Sequence, residues 1–346
     1  MTDPALPFVT VVVPVYNESA FIKRCLADIL GQDYPAERME VLVVDGHSTD
    51  DTRCKVEAVA ARDGRVRLLD NPKRIQAAAF NIGVRAARGK YVLRMDAHAG
   101  YDPTYMRRCV ETLEETGAAN VGGKWETRPS GKGLIARAIA LMGTLQFGVG
   151  GSRFRVGGKA GPVDLVGLGA FRRDIFETVG LMDERLVRGE DNELCGRIRR
   201  HGLVVYFQPE AKSVYYARRT VRGYMKQMYD NGLYHVLTLR VNPSGCSPRH
   251  LVPFAFVTGL VAAAVAGFFW RPAWLLGAGA LGLYAAADLI ASLFAAARHG
   301  WPYLAVLPWL FFCGHTAYGM GTWGGVMKFG FKRTPLEKGT PQDGAG

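Results

Sequence analysis

Residues 8–18 read FVTVVVPVYNE. Phe8 to Val15 is an almost unbroken β-branched run, as in a strand buried on both faces, and the polar group Tyr16, Asn17 and Glu18 ends it. From Glu18 to Leu30, apolar residues return at helical spacing: Phe21, Ile22, Leu26, Ile29 and Leu30. A second apolar run, MEVLVVD at 39–45, stops at Asp45. The segment GHSTDDT follows, in which Ser48 or Thr49 is suited to cap a helix. A third strand is expected at 66–71, a helix at 76–87 and a fourth strand at 91–95. Strands alternating with helices predict an α/β fold with a mostly parallel sheet. In such sheets, ligands bind beyond the carboxyl ends of the strands. Polar groups arrive there from three strands: Tyr16, Asn17 and Glu18 after the first, Asp45 from the second, and Asp96 with His98 after the fourth. Neither GxGxxG nor GxxxxGK[ST] is present at the first strand, which disfavours a dehydrogenase and a P-loop nucleotidase.

The other half of the chain has a different composition. Among 346 residues the formal net charge is +12, yet from Leu251 to Met327 the only Asp, Glu, Lys or Arg residues are Arg271, Asp288 and Arg298. Such a tract predicts a membrane region after a soluble domain. Three segments are long enough to cross, at 251–270, 273–297 and 303–327, with Trp270, Trp274, Trp301 and Trp309 near their ends. Three full crossings would put Lys328, Lys332, Arg333 and Lys338 outside, against the positive-inside tendency, so the third segment either breaks that tendency or is re-entrant. An intramembrane Asp288 calls for a partner. The expected organisation is a domain over 1–218, an interfacial helix and linker over 219–250, a membrane region over 251–327 and a flexible basic tail over 328–346.

In the linker, Tyr224, Met225, Met228, Tyr229, Leu233 and Tyr234 give an apolar face beside Arg222 and Lys226, which suits a helix at the membrane surface. Leu134 to Phe147 is either another such helix or part of a core. The basic charge fits an anionic membrane leaflet, and the chain has no helix-turn-helix, zinc-finger or RNA-recognition signature to suggest nucleic acid. Six cysteines without a CxxC pair fit reduced cytosolic thiols. The start MTDPALPF lacks the features of a signal peptide, so the soluble part is expected on the cytoplasmic side of a multi-pass inner-membrane protein.

VVVPVYNE at 11–18, VVDGHSTDDT at 43–52 and DAHA at 96–99 resemble family-2 glycosyltransferases of the GT-A fold. VGG at 121–123, RGED at 188–191 and QMYDNG at 227–232 are similar to its branch of succinoglycan-biosynthesis glucosyltransferases, and the likeness runs over roughly the first 250 residues. The resemblance implies a nucleotide pocket containing Pro14, Tyr16 and Glu18, with Asp45 hydrogen-bonded to the base; taken alone, Asp45 is a turn residue ending a strand. Lys73, Arg74 and Gln76 either meet phosphate and ribose or form a solvated basic loop. Asp96 and His98 resemble the family's metal-binding DxD motif, with His98 replacing the second Asp. This implies a divalent metal, Mn2+ or Mg2+, acting as Lewis acid on the diphosphate, and Asp96 also serves ribose.

In the Glu190-Asp191 pair, the resemblance makes Asp191 the general base and Glu190 its neighbour or an acceptor-binding group, for a reaction that inverts the anomeric centre. In isolation these acids would simply favour a helix N-terminus. Asp164 either shapes the acceptor side or sits in a turn, in a stretch (163–171) whose glycines imply close approach to ligand or backbone. Arg218 and Arg219 either contact the diphosphate or are surface arginines. Gln227 belongs to QMYDN, which stands where processive synthases carry QxxRW, so transfer of one sugar per acceptor is expected.

The implied partners are a nucleotide-sugar donor, in this branch a UDP-hexose such as UDP-glucose, a polyprenyl-linked or other lipid-linked sugar as acceptor, membrane lipid, and unidentified members of a biosynthetic complex. The alternatives are a polyprenyl-phosphate sugar synthase and an inactive sugar-nucleotide-binding membrane scaffold.

Overall fold

The computed structural model describes residues 6–167 and 169–330. The described residues divide into two units: those up to Glu126 with Gly157–Tyr215, and Thr127–Val156 with those from Tyr216 on.

The first unit opens with the expected alternation: β1 (Val9–Val15), α1 (Ile22–Leu30), β2 (Met39–Asp45), α2 (Thr52–Ala60), β3 (Val66–Asp70), α3 (Gln76–Ala86) and β4 (Tyr91–Arg94). These strands are parallel in the order β3-β2-β1-β4, with Val9 opposite both Met39 and Tyr91 and Val15 opposite Asp45. Val9, Val11 and Val13 lose all exposure to one core with Ile22, Leu26 and Ile29 of α1. Each such side chain contributes about 1.5–3 kcal/mol on burial.

Beyond β4 the sheet becomes mixed. The added strands are β5 (Gly100–Tyr101), β6 (Asn120–Pro129), β7 (Gly161–Pro162), β8 (Ala170–Arg172) and β9 (Val205–Ala217), with α4 (Tyr105–Thr116) between β5 and β6. Here β8 runs antiparallel to both β4 and β6, and β9 antiparallel to β5 and β7.

Two helix starts differ from expectation, for the same reason. The loops after β1 and β2 are tied together: Asn17 N–H donates to Ser48 Oγ at 2.9 Å, Thr49 N–H to Asn17 Oδ1 at 2.8 Å and Glu18 N–H to Thr52 Oγ1 at 2.8 Å. Glu18 is therefore held outside α1, although its carbonyl accepts from Phe21 and Ile22. Neither Ser48 nor Thr49 caps α2, because Ser48 donates to Asp45 instead. The non-glycine residues with positive φ, among those described, are Asn17, His47 and Arg74, on the loops after β1, β2 and β3. Strained backbone thus collects at the carboxyl edge of the sheet, as it does around functional sites.

The second unit takes in Thr127–Val156, and its other part begins at Tyr216. It carries 16 Lys and Arg against two acids, a formal +14, while the rest of the chain carries −2, giving the +12 of the whole. Of those acids, Asp230 pairs with Lys226 at 2.9 Å and Asp288 is buried.

Among the described residues, two helical segments are long and apolar enough to cross a membrane: Pro248–Gly267, 20 residues with mean hydropathy 1.8, and Pro272–His299, 28 residues with mean hydropathy 1.7. Phe269 (90% exposed) and Leu283 (76%) show that these helices do not spend their apolar surface on a protein core. The third predicted segment forms a helix at Leu307–Gly325, whose Gly314, Gly321 and Gly325 are buried. It packs on the Val221–Val241 helix, where a Cβ at Gly321 would strike the Tyr229 carbonyl and one at Gly232 the Tyr318 carbonyl. Part of the face predicted for the membrane surface, Tyr224 included, is therefore spent on helix packing. Thr220 does cap this helix, accepting from Gly223 N–H at 3.1 Å.

Asp288 finds its partners within the unit. Ser292 Oγ donates to Asp288 Oδ1 at 3.2 Å, Tyr284 bonds the same carboxyl, and Tyr284 OH meets His315 Nδ1 at 2.9 Å. The predicted flexible tail lies, from residue 331 on, outside the described residues.

Candidate active site

Asp45 ends β2 with its side chain fully buried. Ser48 Oγ donates to its Oδ1 at 2.6 Å and Ser48 N–H lies 3.2 Å from each carboxylate oxygen, while Arg53 Nη1 stands 3.5 Å from Oδ2. Arg53 also pairs with Asp70, at 2.6 Å. Pro14, Tyr16 and Glu18, all half-buried, follow on the neighbouring strand and its loop. The Glu18 carboxylate reaches across to His98, with Oε1 2.9 Å from Nδ1.

The position after β4 is organised by a residue that the sequence did not bring forward. Arg94 is buried, yet its Nε donates to Asp96 Oδ1 at 3.1 Å and its Nη1 to Glu190 Oε1 at 3.0 Å. A guanidinium in this setting must be paired, and here it has two carboxylates in fork geometry. Gln76 Nε2 adds a bond to Asp96 Oδ1 at 3.3 Å, and Asp96 N–H donates to Tyr101 OH at 2.6 Å. Burial pushes the Asp96 carboxyl up, but the charge of Arg94 foremost, with His98 and the Gln76 amide, holds it below the ordinary range. Burial likewise opposes the Arg94 cation, and the charges of Asp96 and Glu190 more than restore it.

Glu190 and Asp191 open the Glu190–Arg200 helix, as predicted. Asn192 N–H donates to Asp191 Oδ1 at 2.8 Å. Burial first, and the Glu190 charge second, push the Asp191 carboxyl up to about 6, with Arg94 pulling the other way. One cation thus joins Asp96 to the Glu190-Asp191 pair, about a hundred residues apart in sequence. A carboxylate that releases its proton near 6 is suited to general-base work at neutral pH.

A small, partly open cavity of about 10 Å3 lies beside this cluster, lined by residues including Arg94, Asn120, Gly167, Asp191 and Cys195. The glycines of 163–171 make room for side chains: a Cβ at Gly167 would collide with the Trp125 indole, and one at Gly169 with Asn120 Oδ1. Asp164 is half-buried, two residues before Val166 of the same lining.

Lys73 is paired with Glu184, which also accepts from Asn81 Nδ2 at 3.0 Å, and Arg74 is exposed in a left-handed conformation. Arg218 and Arg219 are exposed before the Val221–Val241 helix and Gln227 is half-buried on it, all in the second unit. Among the described residues no three His, Cys, Asp or Glu side chains converge as a metal cage. The donor set after β4 does fit a partial site: Asp96 keeps Oδ2 clear of the bonds made by Oδ1, and a cation on a diphosphate takes only one or two protein ligands beside phosphate oxygens.

Residues 10–180 match the family model for glycosyl transferase family 2. The glycosyltransferase AglE of Haloferax volcanii is 31% identical over 215 residues, which cover 62% of this chain and 68% of that one. The chain belongs to glycosyl transferase family 2. This glycosyltransferase is also 29% identical over 321 residues to the succinoglycan biosynthesis protein ExoA of Rhizobium meliloti, covering 92% and 95% of the two chains. Over 329 residues it is 26% identical to a Methanococcus voltae dolichyl N-acetyl-α-D-glucosaminyl phosphate 3-β-D-2,3-diacetamido-2,3-dideoxy-β-D-glucuronosyltransferase, covering 93% and 98%. Its fold matches that of a Pyrobaculum calidifontis mannosyltransferase solved with GDP-Man and Mn2+ (TM-score 0.62, 23% identity, 92% and 87% covered). The resemblance carried by the motifs, and the GT-A fold it implied, are borne out.

Proposed function

We propose that this family-2 glycosyltransferase is an inverting hexosyltransferase. It moves a sugar from a nucleotide donor, a UDP-hexose in our assignment, to a hydroxyl of a lipid-linked sugar at the cytoplasmic face of a membrane. The observation that carries this is the Asp191 carboxyl, pushed up to about 6 and linked through Glu190 and Arg94 to Asp96. Asp191 takes the acceptor proton as the hydroxyl oxygen attacks the anomeric carbon from behind, so an α-linked donor gives a β-glycoside. Glu190 accepts from Arg94, and its charge keeps the proton affinity of Asp191 high.

On the donor side, Asp45 recognises the base, with Pro14, Tyr16 and Glu18 shaping the pocket around it. Lys73 and Arg74 stand at the phosphate or ribose edge. Asp96 and His98 would hold Mn2+ or Mg2+ together with the donor phosphates, and that ion would offset the charge of the departing diphosphate. Asp164, Arg218, Arg219 and Gln227 serve the acceptor or diphosphate side.

A lipid-linked acceptor is supported by the Methanococcus relative, named for transfer to a dolichyl-linked sugar, and by ExoA, named for succinoglycan biosynthesis. The two long apolar helices and the +14 unit that carries them fit an anionic membrane surface.

Nucleotide release by detergent-purified protein tests the proposal, across UDP- and GDP-sugars, with Mn2+ or EDTA, and with or without an extract of lipid-linked sugars. Release is expected to need the extract, to prefer one donor, to stop with EDTA and to fail in Asp96→Ala and Asp191→Asn. A polyprenyl-phosphate acceptor needs no strong base, so near-normal release by Asp191→Asn would replace the proposal with that synthase. Binding of nucleotide without turnover under any condition would replace it with a scaffold.

A further inference from the structure

We infer that the cavity beside Asp191 is a site for one buried water molecule, and that Asn120 positions and hydrates the Asp191 carboxylate through that water. This rests on the assignment of Asp191 as the base.

Asn120 begins β6 and is 1% exposed. Its Nδ2 donates to Cys195 Sγ at 3.6 Å, whereas its Oδ1 has no donor among the described residues. Turning the amide over gives no relief. The thiol, a weak donor, would then face Oδ1 and the two N–H groups would be stranded. Either way, one polar end of a buried amide is left facing Gly169 and the cavity, and an unmet buried group of this kind costs about 1–3 kcal/mol. Gly169 provides the space, since any Cβ there would occupy the place of Oδ1.

The cavity volume, about 10 Å3, is near the minimum for a single water molecule and far too small for a sugar ring. A water also needs two to four polar partners; the unmet Asn120 Oδ1 is one, and Asp191 and Arg94 are the charged residues of the lining, among Val166, Phe171 and Met182. The protons balance. One water O–H goes to Asn120 Oδ1, the other to Asp191, and a lone pair is left for the guanidinium.

Four protein groups act on the charge of Asp191: Glu190 on its own helix, which opposes it, Arg94 from β4, which favours it, and the N–H groups of Asn192 and of Asp191 itself, which also favour it. Asp96 acts at one remove, through Arg94, and the Cys195 thiol lies one turn along the helix. A water fixed by a neutral amide adds one hydrogen bond to the ionised form without adding charge. Asn120 is therefore a positioning residue, and losing its water should raise the proton affinity of the base.

The test compares full-length wild type, Asn120→Leu and Asn120→Ala in the nucleotide-release assay, with the lipid extract and the donor used by wild type, across the pH range. Leucine fills the cavity with carbon, whereas alanine leaves room for water in place of the amide. The acid limb of kcat/KM should move up by about one pH unit in Asn120→Leu, a roughly tenfold loss at acid pH with a near-normal alkaline plateau, and by less in Asn120→Ala, where water can enter but no amide fixes it. A crystal structure that resolves ordered water should show one oxygen within hydrogen-bond distance of Asn120 Oδ1.

No oxygen there, or an equal loss at every pH in Asn120→Leu, overturns the inference. So does a rise in KM with an unmoved limb, which would give the cavity to a substrate hydroxyl. An active Asp191→Asn would defeat the base assignment separately. The crystallographic oxygen would then stand as a packing water, and the catalytic role of Asn120 would fall.

Discussion

Asp191→Asn should abolish transfer and stabilise the protein, by an amount that grows with pH. The folded-state carboxyl is pushed from 3.8 to about 6, by burial and then by Glu190. A carboxyl raised on folding holds its proton more tightly in the native chain than in the unfolded one. Ionisation therefore works against folding as pH climbs from about 4 through 6, and the full penalty applies above that. A rise of that size corresponds to ~3 kcal/mol at neutral to alkaline pH. Asp191 is only half-buried, so screening leaves about half of this, ~1–2 kcal/mol. For a unit of this size each kcal/mol moves Tm by ~2–4 °C, so Asp191→Asn should melt ~2–8 °C above wild type at about pH 8. Near pH 4 both side chains are neutral and the gap should close. Thermal unfolding of both proteins in one detergent at both pH values is the assay. Transfer activity, measured alongside, should fall ~100- to 10,000-fold. A variant no more stable than wild type at alkaline pH, or stabilised equally at both pH values, would refute the reasoning, because the effect would then belong to packing and not to ionisation.

Arg94→Met strands the Asp96 and Glu190 carboxylates and should cost ~3–5 kcal/mol in the same melts; adding Glu190→Gln should recover part of that loss in a double-mutant cycle. Gly169→Ala drives a Cβ into Asn120 Oδ1 and should cost ~1–3 kcal/mol, with the donor KM changing less than kcat in nucleotide release. Gly232→Leu forces the Val221–Val241 and Leu307–Gly325 helices apart at the Tyr318 carbonyl and should lower the monodisperse yield on size-exclusion chromatography, whereas Gly259→Leu, where a Cβ meets nothing, should not.

The parallel half of the sheet was legible because a strand buried on both faces has no need of alternation. FVTVVVPV, MEVLVVD and YVLRM announce themselves as continuous apolar runs. The mixed half carried weaker signals. β5 and β7 are two residues long and β8 three, too short for any period to register. Helix starts shifted where side chains of one loop answered the backbone of another, a pairing over some thirty residues that spacing does not encode. The motif residues were legible singly, and their connector was not. Arg94 stands opposite Val12 of β1, in a strand otherwise without charge. A cation at such a position must have buried anions nearby, and the run YVLRMDA by itself permits that inference. For Leu134–Phe147 the sequence left two placements open, because an apolar helix such as Leu134–Met142 looks the same in either unit.

Placing Arg94 in the middle of the site also explains how two aspartates in one cluster come to behave differently. Asp96 takes the guanidinium Nε directly and is held ionised, as the proposed ligand for a cation or a ribose must be. The other arm of the guanidinium is taken by Glu190, not by Asp191. Asp191 is left with a fixed negative neighbour and a more distant positive one, and its carboxyl rises to where it can exchange a proton at neutral pH. If the cation were bound to Asp191 instead, both aspartates would stay ionised and neither would be a useful base. The division of labour is therefore set by which carboxylates the two arms of Arg94 reach. A lysine, with a single ammonium, could hold Asp96 or Glu190 at hydrogen-bond distance but not both. Arg94→Lys should accordingly keep more of the stability than Arg94→Met while shifting the acid limb of transfer, and a Lys variant with an unaltered pH profile would mean that the fork has no part in tuning the base.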